Sequence, residues 1–250
     1  MPEDERPPRA AALSAPGLAG EGWLELLALG EVEVLGRMPY SSNATFLVEL
    51  TLGEVTGGAI YKPLGGERPL WDFPDGLFRR EVAAYALAEG LGIGMIPETV
   101  GRRDAPFGLG SLQRFIDADP ERHYFALHDE GGHEEPLRRL AGLDLLLNNA
   151  DRKGGHVLVD ADGALWGIDN GLSFHVEPKL RTVMWDFAGE EVPEEILGAC
   201  RQLRDALPPA LEGLLDEEEL AALVERAEAV LRWPAFPAPT HRRAYPWPLL

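Results

Sequence analysis

The chain has 250 residues, 45% hydrophobic and 26% charged, the balance of a soluble globular protein with a substantial core. A formal net charge of −19 argues against a nucleic-acid backbone or an anionic membrane as main partner, yet leaves room for a nucleotide in a local basic pocket. One cysteine, Cys200, excludes an intrachain disulfide, no apolar run is long enough to span a bilayer, and the charged, Pro-rich start MPEDERPPRAAALSAPG lacks the apolar stretch of a secretory signal, so the expected compartment is the cytoplasm.

Residues 1–20 read as a disordered or loosely docked leader, and residues 21–118 as a first lobe. Trp23 to Leu29 suits a short helix and Glu31 to Leu35 a strand, followed by the turn-forming PYSSN. ATFLVELTL alternates like a strand, LGEVTGG reads as a hairpin connection, and AIYK is the returning strand, closed by Lys62 and stopped by Pro63. RREVAAYALAEGLG is helical, with Gly90 and Gly92 as stop signals. TVGRRDAPFGLGSLQRFI suggests two further strands about a Gly-containing turn.

Residues 119–250 form the second, mainly helical lobe. DADPERHYFALHDEGGHEE reads as polar and irregular, and His123, His128 and His133 within it as members of a solvated loop rather than metal ligands. PLRRLAGLDLLLNN is helical, with Leu140, Leu143 and Leu147 on one side. HVLVD and ALWGID are short strands joined by the turn Ala161-Asp162-Gly163. PEEILGACRQLRDAL and DEEELAALVERAEAVLRW are amphipathic helices, the second opening on an Asp216/Glu219 capping box. The tail WPAFPAPTHRRAYPWPLL, rich in Pro and aromatics, wraps over the surface. The expected fold class is α+β: a small antiparallel-sheet lobe, then a mainly helical lobe, with a cleft between them.

Two polar clusters, NNADR and GIDNG, adjoin strongly apolar runs, where a charge is costly without a task. Asp151 lies just beyond a helix and Asp169 at the end of a strand, and the hairpin between them doubles the chain back so that the two carboxylates approach. Such a pair suits phosphoryl transfer, in which one carboxylate orients the attacking hydroxyl and the other holds the metal on the phosphates. Lys62, at a strand end in the first lobe, can meet phosphates as a point charge, and Glu81 on the next helix can pair with it.

YKPLGGE, SLQRFI, ADRKGGHVLV and IDNGLSF, in that order, resemble the nucleotide, hinge, catalytic-loop and metal motifs of the phosphatidylinositol 3- and 4-kinase superfamily, an atypical branch of the protein-kinase-like fold. The likeness is greatest to type II phosphatidylinositol 4-kinases and more distant to HipA-type kinases, and it covers roughly Ser41 to Phe174. The resemblance implies ATP with Mg²⁺ or Mn²⁺ as cofactors, Asp151 with Arg152 in catalysis, and Asp169 as metal ligand. It implies Lys62 as the phosphate-contacting lysine with Glu81 as its partner. Ser41, Ser42 and Asn43 would form the phosphate-covering turn, with Gln113, Phe115 and Ile116 at the adenine side. His156 stands where that family has Asn, and an imidazole there favours softer divalent ions, with Asp169 as co-ligand.

The expected activity is therefore an ATP-dependent phosphotransferase. Its acceptor is a protein or small-molecule hydroxyl, because the acidic charge, the absence of a Cys-rich cluster and the lack of a basic amphipathic face suit neither a lipid substrate nor stable membrane association. Two alternatives stand beside it: a non-catalytic nucleotide-binding regulator, favoured by His156, and an AMP transferase on the same fold.

Overall fold

The computed structural model describes residues 13, 15, 17–39, 41, 43–239 and 242–250. The chain divides into two compact units, residues 1–82 with 97–117, and residues 83–96 with 118–250.

The first unit is built on a five-stranded antiparallel sheet of order β1-β2-β3-β5-β4, comprising β1 (Glu31–Arg37), β2 (Phe46–Leu52), β3 (Val55–Pro63), β4 (Thr99–Arg102) and β5 (Gly110–Arg114). Alternation along the strands puts Val48, Leu50, Ala59, Tyr61 and Leu112 on one face. They bury against Trp23, Leu26 and Leu27 of helix α1 (Glu21–Leu29). The hairpin connection is only Gly53-Glu54, because Val55 pairs with Leu52 and the expected loop residues Thr56, Gly57 and Gly58 join β3. Both glycines are required by close approach: a Cβ on Gly57 would lie 2.7 Å from the Trp23 ring, and one on Gly58 2.6 Å from Leu13 Cβ. Leu13 and Ala15, in the expected leader, are themselves buried; most of residues 1–20 lie outside the described residues.

Helix α2 (Leu77–Gly90) begins in the first unit and ends in the second. Its first turn is capped from a distance. The Glu67 carboxylate accepts the backbone N–H groups of Gly76 (2.9 Å), Leu77 (3.0 Å) and Phe78 (2.8 Å), satisfying donors that the helix leaves open.

The second unit packs α3 (Tyr124–Glu130), α4 (Glu134–Leu147), α5 (Glu194–Asp205) and α6 (Glu217–Arg232) around one apolar core, with the hairpin β6 (Val157–Val159) and β7 (Leu165–Gly167). Leu140, Leu143, Leu147, Ile196, Cys200, Leu203 and Leu223 are buried in it, as their helical spacing predicts. The capping box opens α6: Glu219 N–H donates to Asp216 (2.9 Å), and Asp216 N–H to Glu219 (3.0 Å). The expected irregular stretch instead contains α3. Tyr124 and Leu127 give it a buried face, His123 Nδ1 accepts Ala126 N–H at its N-terminus, and His128 stacks on Tyr124. The tail is tied down by backbone hydrogen bonds, Phe236 N–H to Glu190, Thr182 N–H to Ala244 and Gly154 N–H to Leu249. No helix among the described residues is long and apolar enough to cross a membrane.

Candidate active site

In the first unit the register pairs Lys62 with Ser111, Ile60 with Gln113 and Thr99 with Gln113, placing these residues on the sheet face opposite α1. The Lys62 ammonium contacts the Glu81 carboxylate directly, and Glu81 is buried. The capped start of α2 lies one turn before Glu81, so Glu67 helps to set where that carboxylate stands. Ser41 and Asn43 knit the β1–β2 connection rather than projecting from it: the Ser41 hydroxyl meets Thr45 Oγ1 at 2.8 Å, and Asn43 Oδ1 accepts Arg68 N–H at 3.0 Å. Ser42 lies outside the described residues. Gln113 is buried and donates to Thr99 Oγ1 (2.9 Å), Phe115 N–H donates to Gly58 O (3.0 Å), and Ile116 is buried.

In the second unit the loop after α4 is organised by Arg152. This residue, expected beside Asp151 in catalysis, has a fully buried side chain. Its guanidinium donates from Nε and Nη2 to the two oxygens of Asp144 (2.8 and 2.9 Å), from Nη1 to Ile168 O (2.5 Å), and from Nη2 to Asn170 Oδ1 (2.6 Å). One planar cation thus joins α4, the loop after it and the segment following β7. Asn149 extends the network, donating to Asp144 (3.2 Å) and accepting Asp151 N–H (2.9 Å). Asp144 was missed in the sequence; its signal is an acid inside the apolar helical run LAGLDLLL, where only a buried partner makes a charge tolerable. Glu67 was missed because nothing in LGGE distinguishes a remote helix cap from a surface acid.

Asp151 is mostly buried, with Lys153 Nζ 3.1 Å from its carboxylate. Burial pushes its pKa up to about 6, the Asp169 charge adds to that rise, and Lys153 and Arg181 oppose it. A carboxylate that titrates near neutrality is suited to accept a proton.

Asp169 follows β7 with φ 57°, a left-handed conformation that costs an L-residue energy and is held here by its surroundings. Its carboxylate is half exposed, and His156 Nε2 lies 3.2 Å from its Oδ2. A hard divalent ion would suit this oxygen donor, and Asp169 is the residue that would hold it. Nδ1 of His156 faces the N–H of Lys153 (3.5 Å), and Nε2 is turned to Asp169.

A five-stranded antiparallel sheet with a Lys–Glu pair running from β3 to α2, followed by a helical unit carrying an Asp-Arg loop and a short hairpin, is a protein-kinase-like α+β fold. The fold is similar to that of hydra Fam20, solved with a sugar (TM-score 0.50, 14% identity, 86% of this chain and 88% of that one). It is also similar to that of the Helicobacter pylori proinflammatory kinase CtkA (TM-score 0.51, 12% identity, 84% and 94%). No family model matches the chain. Protein Rv2133c of Mycobacterium tuberculosis is 43% identical over 261 residues, spanning 89% of this chain and 94% of that protein, and the chain belongs to the same family.

Proposed function

We propose that the chain is an ATP-dependent phosphotransferase acting on a hydroxyl of a protein or soluble small molecule. The observation that carries this reading is the pair Asp151 and Asp169, the second charge acting on the first, beside a loop that Arg152 ties to three partners. Asp151 accepts the hydroxyl proton and orients the attacking oxygen. Asp169 holds a divalent ion, Mg²⁺ or Mn²⁺, which when bound neutralises charge on the phosphates. Lys62, kept extended by Glu81, contacts phosphate oxygens as a point charge. The motif likeness to phosphatidylinositol 4-kinases supports nucleotide chemistry, whereas a net charge of −19 disfavours an anionic membrane as the place of work.

One observation favours a second reading, a nucleotide-binding regulator without turnover: His156 stands where the resembling kinases have a metal-binding Asn. The deciding experiment is intact-mass spectrometry after incubation with ATP and Mn²⁺ or Mg²⁺ and a panel of hydroxyl acceptors. Transfer of phosphate supports the kinase reading, and transfer of AMP replaces it with nucleotidyl transfer. Binding without any product under both metals supports the regulator.

A further inference from the structure

The 23 basic residues include only three lysines, Lys62, Lys153 and Lys179. Lys62 pairs with Glu81 and Lys153 with Asp151; the third lies on a segment that the reading so far leaves unused. That segment is built onto the catalytic loop. Asn148, buried at the left-handed C-terminus of α4, donates to His175 O (2.9 Å) and Glu177 O (2.7 Å) and accepts Lys179 N–H (2.8 Å). Arg181 N–H donates to Asn149 O (2.9 Å), Arg181 O accepts Arg152 N–H (3.0 Å), and Val183 N–H donates to Arg152 O (3.1 Å). Residues 175–183 are thus a fixed ledge along the loop that carries Asp151, with Lys179 and Arg181 half-buried on it.

The charges on this ledge have a direction. Asp151 already has Lys153 at 3.1 Å, and Arg181 adds a second cation within electrostatic reach of the same carboxylate, with Lys179 two residues away. Glu177, the acid on the ledge, is exposed. The whole chain, by contrast, is strongly acidic and repels large polyanions. A local group of cations on an acidic protein suits a small anion, which enters within about one Debye length of the ledge and feels little of the distant surface.

We propose that Lys179 and Arg181 bind an anionic group, phosphate or carboxylate, on a hydroxyl-bearing small-molecule acceptor whose hydroxyl faces Asp151. The inference rests on the phosphotransferase reading and names its substrate class. In the step it implies, the acceptor oxygen bonds to the γ-phosphorus of ATP and the bond from that phosphorus to the β,γ-bridging oxygen breaks. ADP departs and the hydroxyl proton passes to Asp151. An arginine supplies a two-point grip on the anion and a lysine a mobile point charge.

The test is a binding titration of the full chain with sn-glycerol 3-phosphate, glycerate and uncharged glycerol, in the presence of Mn²⁺ and a non-hydrolysable ATP analogue. The expected result is that the two anions bind at least about tenfold more tightly than glycerol. Lys179→Gln and Arg181→Gln should each remove most of that preference, leave affinity for the ATP analogue within about twofold, and melt like the parent. Lys179→Arg should restore the preference, which separates charge from folding. Vesicles containing phosphatidylinositol form a further arm: capture dependent on Lys179 and Arg181, with no binding of the soluble anions, would assign the anion to a lipid headgroup and overturn the small-molecule acceptor. No preference for anions in the parent, or parent-like preference in both Gln variants, overturns the proposal. Failure of the ATP analogue to bind the parent, with anion binding intact, overturns the phosphotransferase reading and leaves the anion site standing.

Discussion

Arg152 and Asp144 form a two-point ion pair, at 2.8 and 2.9 Å, with both side chains shut off from solvent. Removing either partner strands the other as a buried charge, which costs about 3–5 kcal/mol. Asp144→Asn and Arg152→Met are therefore expected to unfold at markedly lower urea concentration than the parent. Arg152→Lys should rescue little, because an ammonium cannot span Asp144, Ile168 and Asn170 at once. Equilibrium urea denaturation checks this, and a parent-like midpoint for Arg152→Lys would contradict the hub role.

Glu67 accepts three backbone N–H groups at the start of α2, where the helix dipole also favours a negative charge. Glu67→Gln keeps the size but loses the charge and one acceptor, at a cost on the order of 1–2 kcal/mol. Since Glu81 follows one turn later and touches Lys62, the variant should also raise KM for ATP more than it lowers kcat. Thermal melts and steady-state kinetics measure the two effects, and a fall in kcat alone would disconnect the cap from the nucleotide site.

Most strands and helices of both units were legible because period-2 and period-3.6 patterns dominate them, as in ATFLVELTL and DEEELAALVERAEAVLRW. Helix α3 was not. Its composition is polar, and only Tyr124 and Leu127, buried by neighbours distant in the chain, make it a helix. The two-residue hairpin at Gly53-Glu54 was hidden for a similar reason: Gly57 and Gly58 read as loop residues, while their lack of a Cβ serves the packing of Trp23 and Leu13. At the site, the order and spacing of Lys62 and Glu81 foretold their contact, which the structure shows. That Arg152 faces inward was not legible, because a motif records only that a residue recurs beside an aspartate, and burial depends on the fold.

Burial raises the Asp151 pKa to about 6, so folding favours its protonated form. The stabilisation is fully present below the unfolded value near 3.8 and is lost as pH rises through 6; at neutral pH the ionised group opposes folding. Asp151→Asn removes that opposition. Its melting temperature should exceed the parent's at about pH 8, by the equivalent of up to about 3 kcal/mol, and converge with it near about pH 4. Turnover should fall on the order of 10²-fold or more, and the parent's acidic limb should lie near pH 6. A variant that is both fully active and no more stable at high pH would remove Asp151 from the mechanism.

His156 and Asp169 give the last prediction. Nε2 is 3.2 Å from Oδ2, and Nδ1 is turned to the Lys153 N–H, so the imidazole is placed to donate to a carboxylate whose backbone sits at φ 57°. A glutamine amide can donate from nearly the same place as Nε2, whereas alanine cannot. His156→Gln is expected to keep the ratio of Mg²⁺- to Mn²⁺-supported turnover within about twofold, and His156→Ala to lower turnover with both metals by about tenfold or more. If His156 were a ligand, Gln would replace nitrogen by oxygen and move the ratio towards Mg²⁺, because Mg²⁺ discriminates more strongly against nitrogen donors. Turnover measured across both metals for the two variants separates the roles: a ratio shifted in Gln makes His156 a ligand, and an equal loss confined to Ala makes it the residue that aims Asp169.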